Sequence, residues 1–361
     1  MTAAEKDPSQ RIAELVAHHM SSPIGDVSIV RLTGDASTRA YFRAASLDRS
    51  VIVARYSAAF DESISAVDRL AHQEVDNPSA RLTFANDPCA QIETTSLFLD
   101  AGLPVPAILG VSGAHGILVI EDVGDLRLQD WLPAHSDTEC FEAYRDALRM
   151  VVKIQESTER GCRPASICSA LAFDEAKLRW ELGFFFANYF NRYLRARLKA
   201  PVANAVQEDF RALCSDLAAR PRVLTHRDYH ARNLMMHDGR MFIIDFQDAR
   251  LGPASYDVAS LLSDPYSVLS RDAAKELAAE FVAMKAQSRV PLGDPEEFEN
   301  ELQLMTVQRM LKAVGTYASQ AVAGNEIYLP FIRPAVERAL TAMSVVNRFD
   351  ATRALLEQHL S

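Results

Sequence analysis

The sequence predicts an α+β fold in two lobes, a small N-terminal lobe built on a sheet and a larger, mainly helical C-terminal lobe. Three observations carry this. The chain has 361 residues, and a single hydrophobic core stops growing at roughly 250–300. Up to Val123, apolar residues alternate or run together in short segments rich in β-branched and aromatic side chains, as strands do. After Leu126 the apolar spacing changes to the 3.6-residue period of helices. A break is therefore expected between residues 123 and 124, giving lobes of 1–123 and 124–361.

Ser9–Met20 places Ile12, Leu15, Val16 and His19 on one helical face. Val27–Leu32, Ala40–Ala45 and Ser50–Tyr56 then read as strands, joined by the small-residue turn Thr33–Arg39 and by Leu47-Asp48-Arg49. Residues 57–89 carry the breakers Asn77-Pro78 and Asp87-Pro88 and read as a partly helical insertion. Loop-closure entropy grows only logarithmically, so the fold tolerates its length. Ala90–Ala101 is a predicted helix stopped by Gly102. Val105–Val111 and Gly116–Val123 are the next strands.

Beyond Leu126, helical spacing covers Glu139–Glu159, Phe173–Leu194, Val202–Leu217 and Ala254–Leu360. Breaks in the last stretch are expected near Pro265, Pro291, Pro295 and Pro330. Asp174 is a good N-cap. The aromatic stripe behind it (Phe185, Tyr189, Phe190, Tyr193) has the spacing of a core face. A short β interruption divides the helices: Arg222–His226, then Leu234–His237 and Met241–Asp245 around Asp238-Gly239, a strong hairpin signal.

Net charge is −10, which argues against a nucleic-acid partner, since such proteins show a basic face. Five cysteines, an odd number with no C-x-x-C spacing, fit thiols in a reducing cytosol. The N-terminus lacks the apolar core of a signal peptide, and no apolar run reaches the roughly 18 residues of a membrane span. A cytoplasmic location is expected.

The chemistry concentrates in His226-Arg-Asp-Tyr-His-Ala-Arg-Asn233, an H-R-D-x-x-x-x-N string. This is the catalytic-loop pattern of phosphoryl transfer. Asp245 ends an apolar strand twelve residues past Asn233. A phosphoryl group leaving ATP is heavily charged, so Mg²⁺ must bridge its oxygens, and Mg²⁺ wants hard oxygen ligands. Asn233 offers an amide oxygen and Asp245 a carboxylate; Asp228 can take the proton of an attacking hydroxyl. His226 is expected as a buried hydrogen-bonding post. Asp257 is expected as a helix cap that also supports the loop. A zinc site of His226, Asp228 and His230 is conceivable from ligand types but leaves Asn233 and Asp245 unexplained.

These strings, with Ile243–Leu262, resemble the aminoglycoside phosphotransferase and choline kinase superfamily, whose fold is protein-kinase-like. Gly34–Arg43 (GDASTRAYFR) and Gly116–Asp125 are similar to the bacterial kinases that phosphorylate the anomeric hydroxyl of N-acetylmuramate and N-acetylglucosamine in cell-wall recycling. The resemblance covers roughly Val27 to Pro265. It implies ATP and Mg²⁺ as cofactors, a nucleotide-binding first lobe and a catalytic, substrate-binding second lobe. It implies that Gly34, Asp35, Ala36 and Ser37 form a loop over the phosphates, although a plain β-turn also accounts for one glycine. It places Glu121 and Val123 at the hinge that meets adenine, and Glu93 where a helix glutamate pairs with a phosphate-binding lysine. That lysine is missing; Arg55 is the nearest cation, and an Arg55–Glu93 pair is the expectation. The favoured partner is a small amino sugar, with no membrane or nucleic acid. Two rivals stay open: a kinase of aminoglycosides, choline or other amino alcohols, and a nucleotide-binding protein without turnover.

Overall fold

The structure, a computed structural model, describes residues 12–17, 23–32, 39–47, 49–77, 79–162, 166–266, 269–292 and 294–360. They form two compact units. The first is the described part of Met1–Leu126 with Pro164–Ile167 and Met235–Asp248; the second is Arg127–Arg163, Cys168–Leu234 and Ala249–Ser361.

The first unit is a sheet of β1 (Ser28–Arg31), β2 (Ala40–Ser46), β3 (Arg49–Arg55), β4 (Ile108–Ser112) and β5 (Ile117–Glu121). Its order is β1-β2-β3-β5-β4, antiparallel throughout. Side chains two apart share a face, so Val51 and Val53 of β3 and Ile117 and Val119 of β5 make one apolar surface. Ile12 and Val16 of α1 (residues 12–17) bury against it. The insertion folds into α2 (Ala66–Asp76) and α3 (Ala80–Thr83), and α4 (Pro88–Asp100) follows. Asp87-Pro88, a breaker on paper, begins α4. The Asp87 carboxylate accepts from the N–H groups of Cys89 and Ala90, and proline sits in the first turn, where no N–H is needed.

The Leu234–His237 and Arg240–Ile243 strands pair as expected. Asp238 and Gly239 both take left-handed φ, +48° and +69°, as a two-residue hairpin requires. Met235 and Phe242 bury with Val123, and Ile244 packs on them. That small core draws residues 235–248, Asp245 included, into the first unit. The single break expected at 123/124 does not allow for this return.

The second unit is mainly helical. Asp137–Glu156 starts in a full capping box of Ser136 and Glu139. Asp174 caps Glu175–Phe185 by accepting from Lys177 N–H at 2.8 Å. The sequence period predicts a helix to Leu194, but the chain shifts to a π-helix over Phe186–Tyr193. Phe185, Tyr189 and Phe190 are buried, so the stripe is core. Arg222–Thr225 and Arg250–Pro253 pair antiparallel. Pro295 and Pro330, expected as breaks, lie in the first turns of Pro295–Val322 and Leu329–Val346. All five cysteines are free thiols. Among the described residues no helix is long and apolar enough to cross a membrane.

Gly315 shows how tightly the long helix packs: a Cβ there would meet the Phe185 Cα at 2.6 Å. Alanine gains about 1 kcal/mol in helix propensity, whereas forcing atoms into a filled core costs about 1–3 kcal/mol. The obstructing atom is backbone and cannot swing aside. Gly315→Ala should therefore lower the urea midpoint; a midpoint at or above wild type would show that the crossing yields.

Candidate active site

The His226–Asn233 loop leaves its strand through Arg227, held at φ +87°, a costly conformation for a side-chain-bearing residue. Asp257 fixes it. Its carboxylate accepts from the N–H of His226 at 2.7 Å and of Arg227 at 3.1 Å. Ala254 occupies the N-cap of the Ser255–Leu262 helix; Asp257, in its first turn, is fully buried. Burial raises the Asp257 carboxyl above its usual range, against His226 and the two N–H donors. His226 is also fully buried, and its Nδ1 accepts from Asp228 N–H at 3.3 Å. Tyr229 anchors the loop from below, donating to the Ala147 carbonyl at 2.8 Å.

Asp228 projects from this loop into a cluster of cations. Its Oδ1 lies 2.9 Å from Lys312 Nζ and 3.3 Å from Arg309 Nη2, and its Oδ2 lies 3.7 Å from Arg227 Nε. Burial alone would raise the carboxyl, but Lys312, Arg227 and Arg309 hold it well below the usual carboxylate range. Arg309 and Lys312 stand three apart on Pro295–Val322 and so share a face. Tyr256 fixes Arg309: its hydroxyl accepts from Nη1 at 2.7 Å, and its ring lies 4.7 Å under the guanidinium. Burial pulls the Lys312 ammonium down, opposed by Asp228. Burial also pulls the His230 imidazole down to about 3, so it stays neutral. Asn233 donates from its amide nitrogen to the Asp228 carbonyl at 2.8 Å. Its amide oxygen is left as an acceptor.

In the first unit, Asp245 follows the Arg240–Ile243 strand at φ +63°. Its side chain is 42% exposed. Its Oδ1 accepts from Gln247 Nε2 at 2.9 Å and from Arg39 Nη2 at 3.3 Å. The next residue, Phe246, is buried against Phe98, ring centroids 5.2 Å apart, which fixes where Asp245 emerges.

The expected Arg55–Glu93 pair is not formed. Among the described residues Glu93 accepts from the N–H of Ala66, at the open N-terminus of α2, at 2.6 Å, and from the N–H of Ile167 at 3.3 Å. Orphan helix-end donors claim the carboxylate first. Glu121 spends its own N–H on the Ala107 carbonyl, and its carboxylate accepts from Ala107 N–H. Val123 buries its side chain, while its peptide N–H and carbonyl have no hydrogen bond among the described residues. Asp122 is held in a fork by Arg43, at 2.6 and 3.0 Å. Gly34, Asp35, Ala36 and Ser37 lie outside the described residues. Among the described residues, no group of three His, Cys, Asp or Glu side chains gathers as a metal cage, so the zinc trio is not assembled.

The sequence reading missed Lys312, Arg309 and Arg39. The signal for the first two is two cations three apart inside the apolar run Met305–Val314. Charges on the buried stripe of a helix call for a partner.

Residues 28–298 match the phosphotransferase enzyme family. The chain belongs to that family. The N-acetylmuramate/N-acetylglucosamine kinase of Pseudomonas aeruginosa is 30% identical over 293 residues, 80% of this chain and 76% of that one. The protein of the same name from Neisseria meningitidis serogroup B is 26% identical over 329 residues, 90% and 87% of the two chains. Among solved structures, an ADP-bound aminoglycoside phosphotransferase is similar at TM-score 0.55 and 14% identity, covering 92% of this chain and 98% of that one. This phosphotransferase therefore has the α+β, protein-kinase-like fold.

Each buried N–H orphaned by loss of an acceptor costs about 1–3 kcal/mol. Asp257→Ala should lower the urea midpoint and open the His226–Asn233 amides to hydrogen exchange. Wild-type protection there would show that the loop keeps its shape without the clamp.

Proposed function

We propose that this phosphotransferase moves the γ-phosphoryl group of ATP to the anomeric hydroxyl of N-acetylmuramate and N-acetylglucosamine, serving cell-wall recycling in the cytoplasm. The observation that carries the reading is the ionised Asp228 carboxylate, held on a strained loop by Asp257 and flanked by Lys312 and Arg309. The choice of sugar follows the names of the two bacterial relatives.

In this reading Asp228 accepts a hydrogen bond from the sugar hydroxyl and aims its oxygen at phosphorus. A carboxylate kept so acidic is a weak base early in the reaction. The proton crosses to Asp228 late, as the new O–P bond forms and the hydroxyl acidifies, which suits a loose transition state. Lys312 keeps the carboxylate ionised and holds its orientation. The Asn233 amide oxygen and the exposed Asp245 carboxylate are hard donors of the kind magnesium takes. Magnesium, if held by these donors, would supply positive charge against that of the phosphates. The unspent peptide groups of Val123 fit the edge of adenine.

Product analysis over N-acetylmuramate, N-acetylglucosamine, aminoglycosides and choline, with phosphorus NMR to find the esterified oxygen, tests the reading. Anomeric phosphate on the two amino sugars is expected; phosphate only on an aminoglycoside or choline rejects it. Asp228→Asn should cut kcat by about 10²–10⁴ and leave Mg·ATP binding in place. Turnover equal to wild type would remove Asp228 from the chemistry. Lys312→Met should lower kcat at least about tenfold, since a single charge-assisted hydrogen bond contributes about 1.5–3 kcal/mol, with KM for ATP little changed. A change confined to KM for ATP would reassign Lys312 to nucleotide binding.

A further inference from the structure

We propose that Arg39, not Arg55, is the cation that grips the nucleotide phosphates, taking over the task of the missing strand lysine. The inference rests on the proposed use of Mg·ATP and adds a residue to it.

Arg39 immediately precedes β2, whose first residue, Ala40, pairs across the ladder with Arg55. A guanidinium is thus delivered from the start of β2 to the same end of the sheet where a lysine at the end of β3 would lie. The side chain of Arg39 is 4% exposed, yet its Nη2 reaches the carboxylate of Asp245, which is 42% exposed. The rings of Tyr41 and Tyr56 flank the guanidinium at 5.5 and 6.0 Å. Flat aromatic walls of this kind guide a guanidinium plane and fix its direction. Arg55 has no such setting: its expected partner Glu93 is taken by two backbone N–H groups.

The contact between Arg39 and Asp245 is 3.3 Å, longer than the roughly 2.7–2.9 Å of a close charge-assisted bond. It is a contact that can be exchanged. Charge counting says for what. A divalent ion taking the Asp245 carboxylate places that ion beside a buried guanidinium. Two cations so placed repel unless a polyanion arrives with the metal. A phosphate chain supplies that charge, and its oxygens match the forked donors of arginine.

Calorimetric titration of Mg·ATP and of adenosine into the full chain, with urea midpoints, tests this. Arg39→Met should weaken Mg·ATP about ten- to hundredfold, the fold-change for losing one charge-assisted pair, while adenosine affinity holds. Arg39→Lys keeps the charge without the fork and should lose several-fold at an unchanged urea midpoint. Arg55→Met should bind Mg·ATP as the wild type does. The proposal is overturned if Arg39→Met and Arg39→Lys bind Mg·ATP normally. It is also overturned if Arg39→Met loses adenosine and Mg·ATP equally, the mark of a merely structural role, or if Arg55→Met suffers the larger loss. A wild-type chain that does not bind Mg·ATP sinks the nucleotide reading and the Arg39 role together.

Discussion

The second unit depends on one buried carboxylate. Asp257 is fully buried, and its carboxylate accepts from two backbone N–H groups of another segment. That arrangement fixes where the His226–Asn233 loop leaves its strand and allows Arg227 its left-handed backbone. Strain of this kind persists only where the surroundings over-determine it. Asp257 supplies the constraint from one side, and Tyr229, tied to the Ala147 carbonyl, from the other. Asp228 lies between the two anchors and has little freedom in where it points.

Asp257 and Asp228 stand 29 residues apart in sequence and respond to burial in opposite ways. Asp257 meets mostly neutral N–H donors, so the cost of desolvating its charge dominates and its carboxyl rises. Asp228 meets three cations, so attraction outweighs the same cost and its carboxyl falls. In the proposed reaction such divergence separates the supporting acid, Asp257, from the reacting one, Asp228. Residue type cannot report it, since both are aspartates beside a tyrosine in the sequence.

Local signals were legible in the sequence. The Asp238-Gly239 turn, the five strands and the Asp174 cap each depend on residues a few positions apart, and each has the conformation its residues favour; the His226–Asn233 loop was legible as a string of residues, but its strained Arg227 backbone was not. What was illegible depends on partners far along the chain. Lys312 and Arg309 lie more than 80 residues from Asp228, on a helix whose apolar period gave no hint of which element it covers. The hairpin joins the first unit through Val123, a residue more than 100 positions upstream of it. Glu93 goes to Ala66 and Ile167 because helix ends leave N–H groups open, and the sequence does not say which carboxylate will find them. The Asp87-Pro88 misreading is of another kind: the same dipeptide ends one helix or begins the next, and only the Asp87 cap decides between them.

Bulk charge also misleads about the local field. The chain carries −10 overall, which would oppose an anionic ligand if it were spread evenly. Asp228 in the second unit and Asp245 in the first instead have cations of their own: Asp228 has Lys312, Arg309 and Arg227, and Asp245 has Arg39. In the proposed reaction a bare carboxylate would repel the phosphates brought beside it, and at short range that repulsion is large. Cations placed against each acid would offset this repulsion while leaving carboxylate oxygens for the hydroxyl proton or the metal ion of the proposal. Arginine stays charged on burial where a histidine loses its proton, as His230 does here, and Asp228 opposes the pull of burial on the Lys312 ammonium. The identity of the neighbouring cations is therefore part of the proposed chemistry: Lys312, Arg227 and Arg309 hold the Asp228 carboxyl well below the usual carboxylate range.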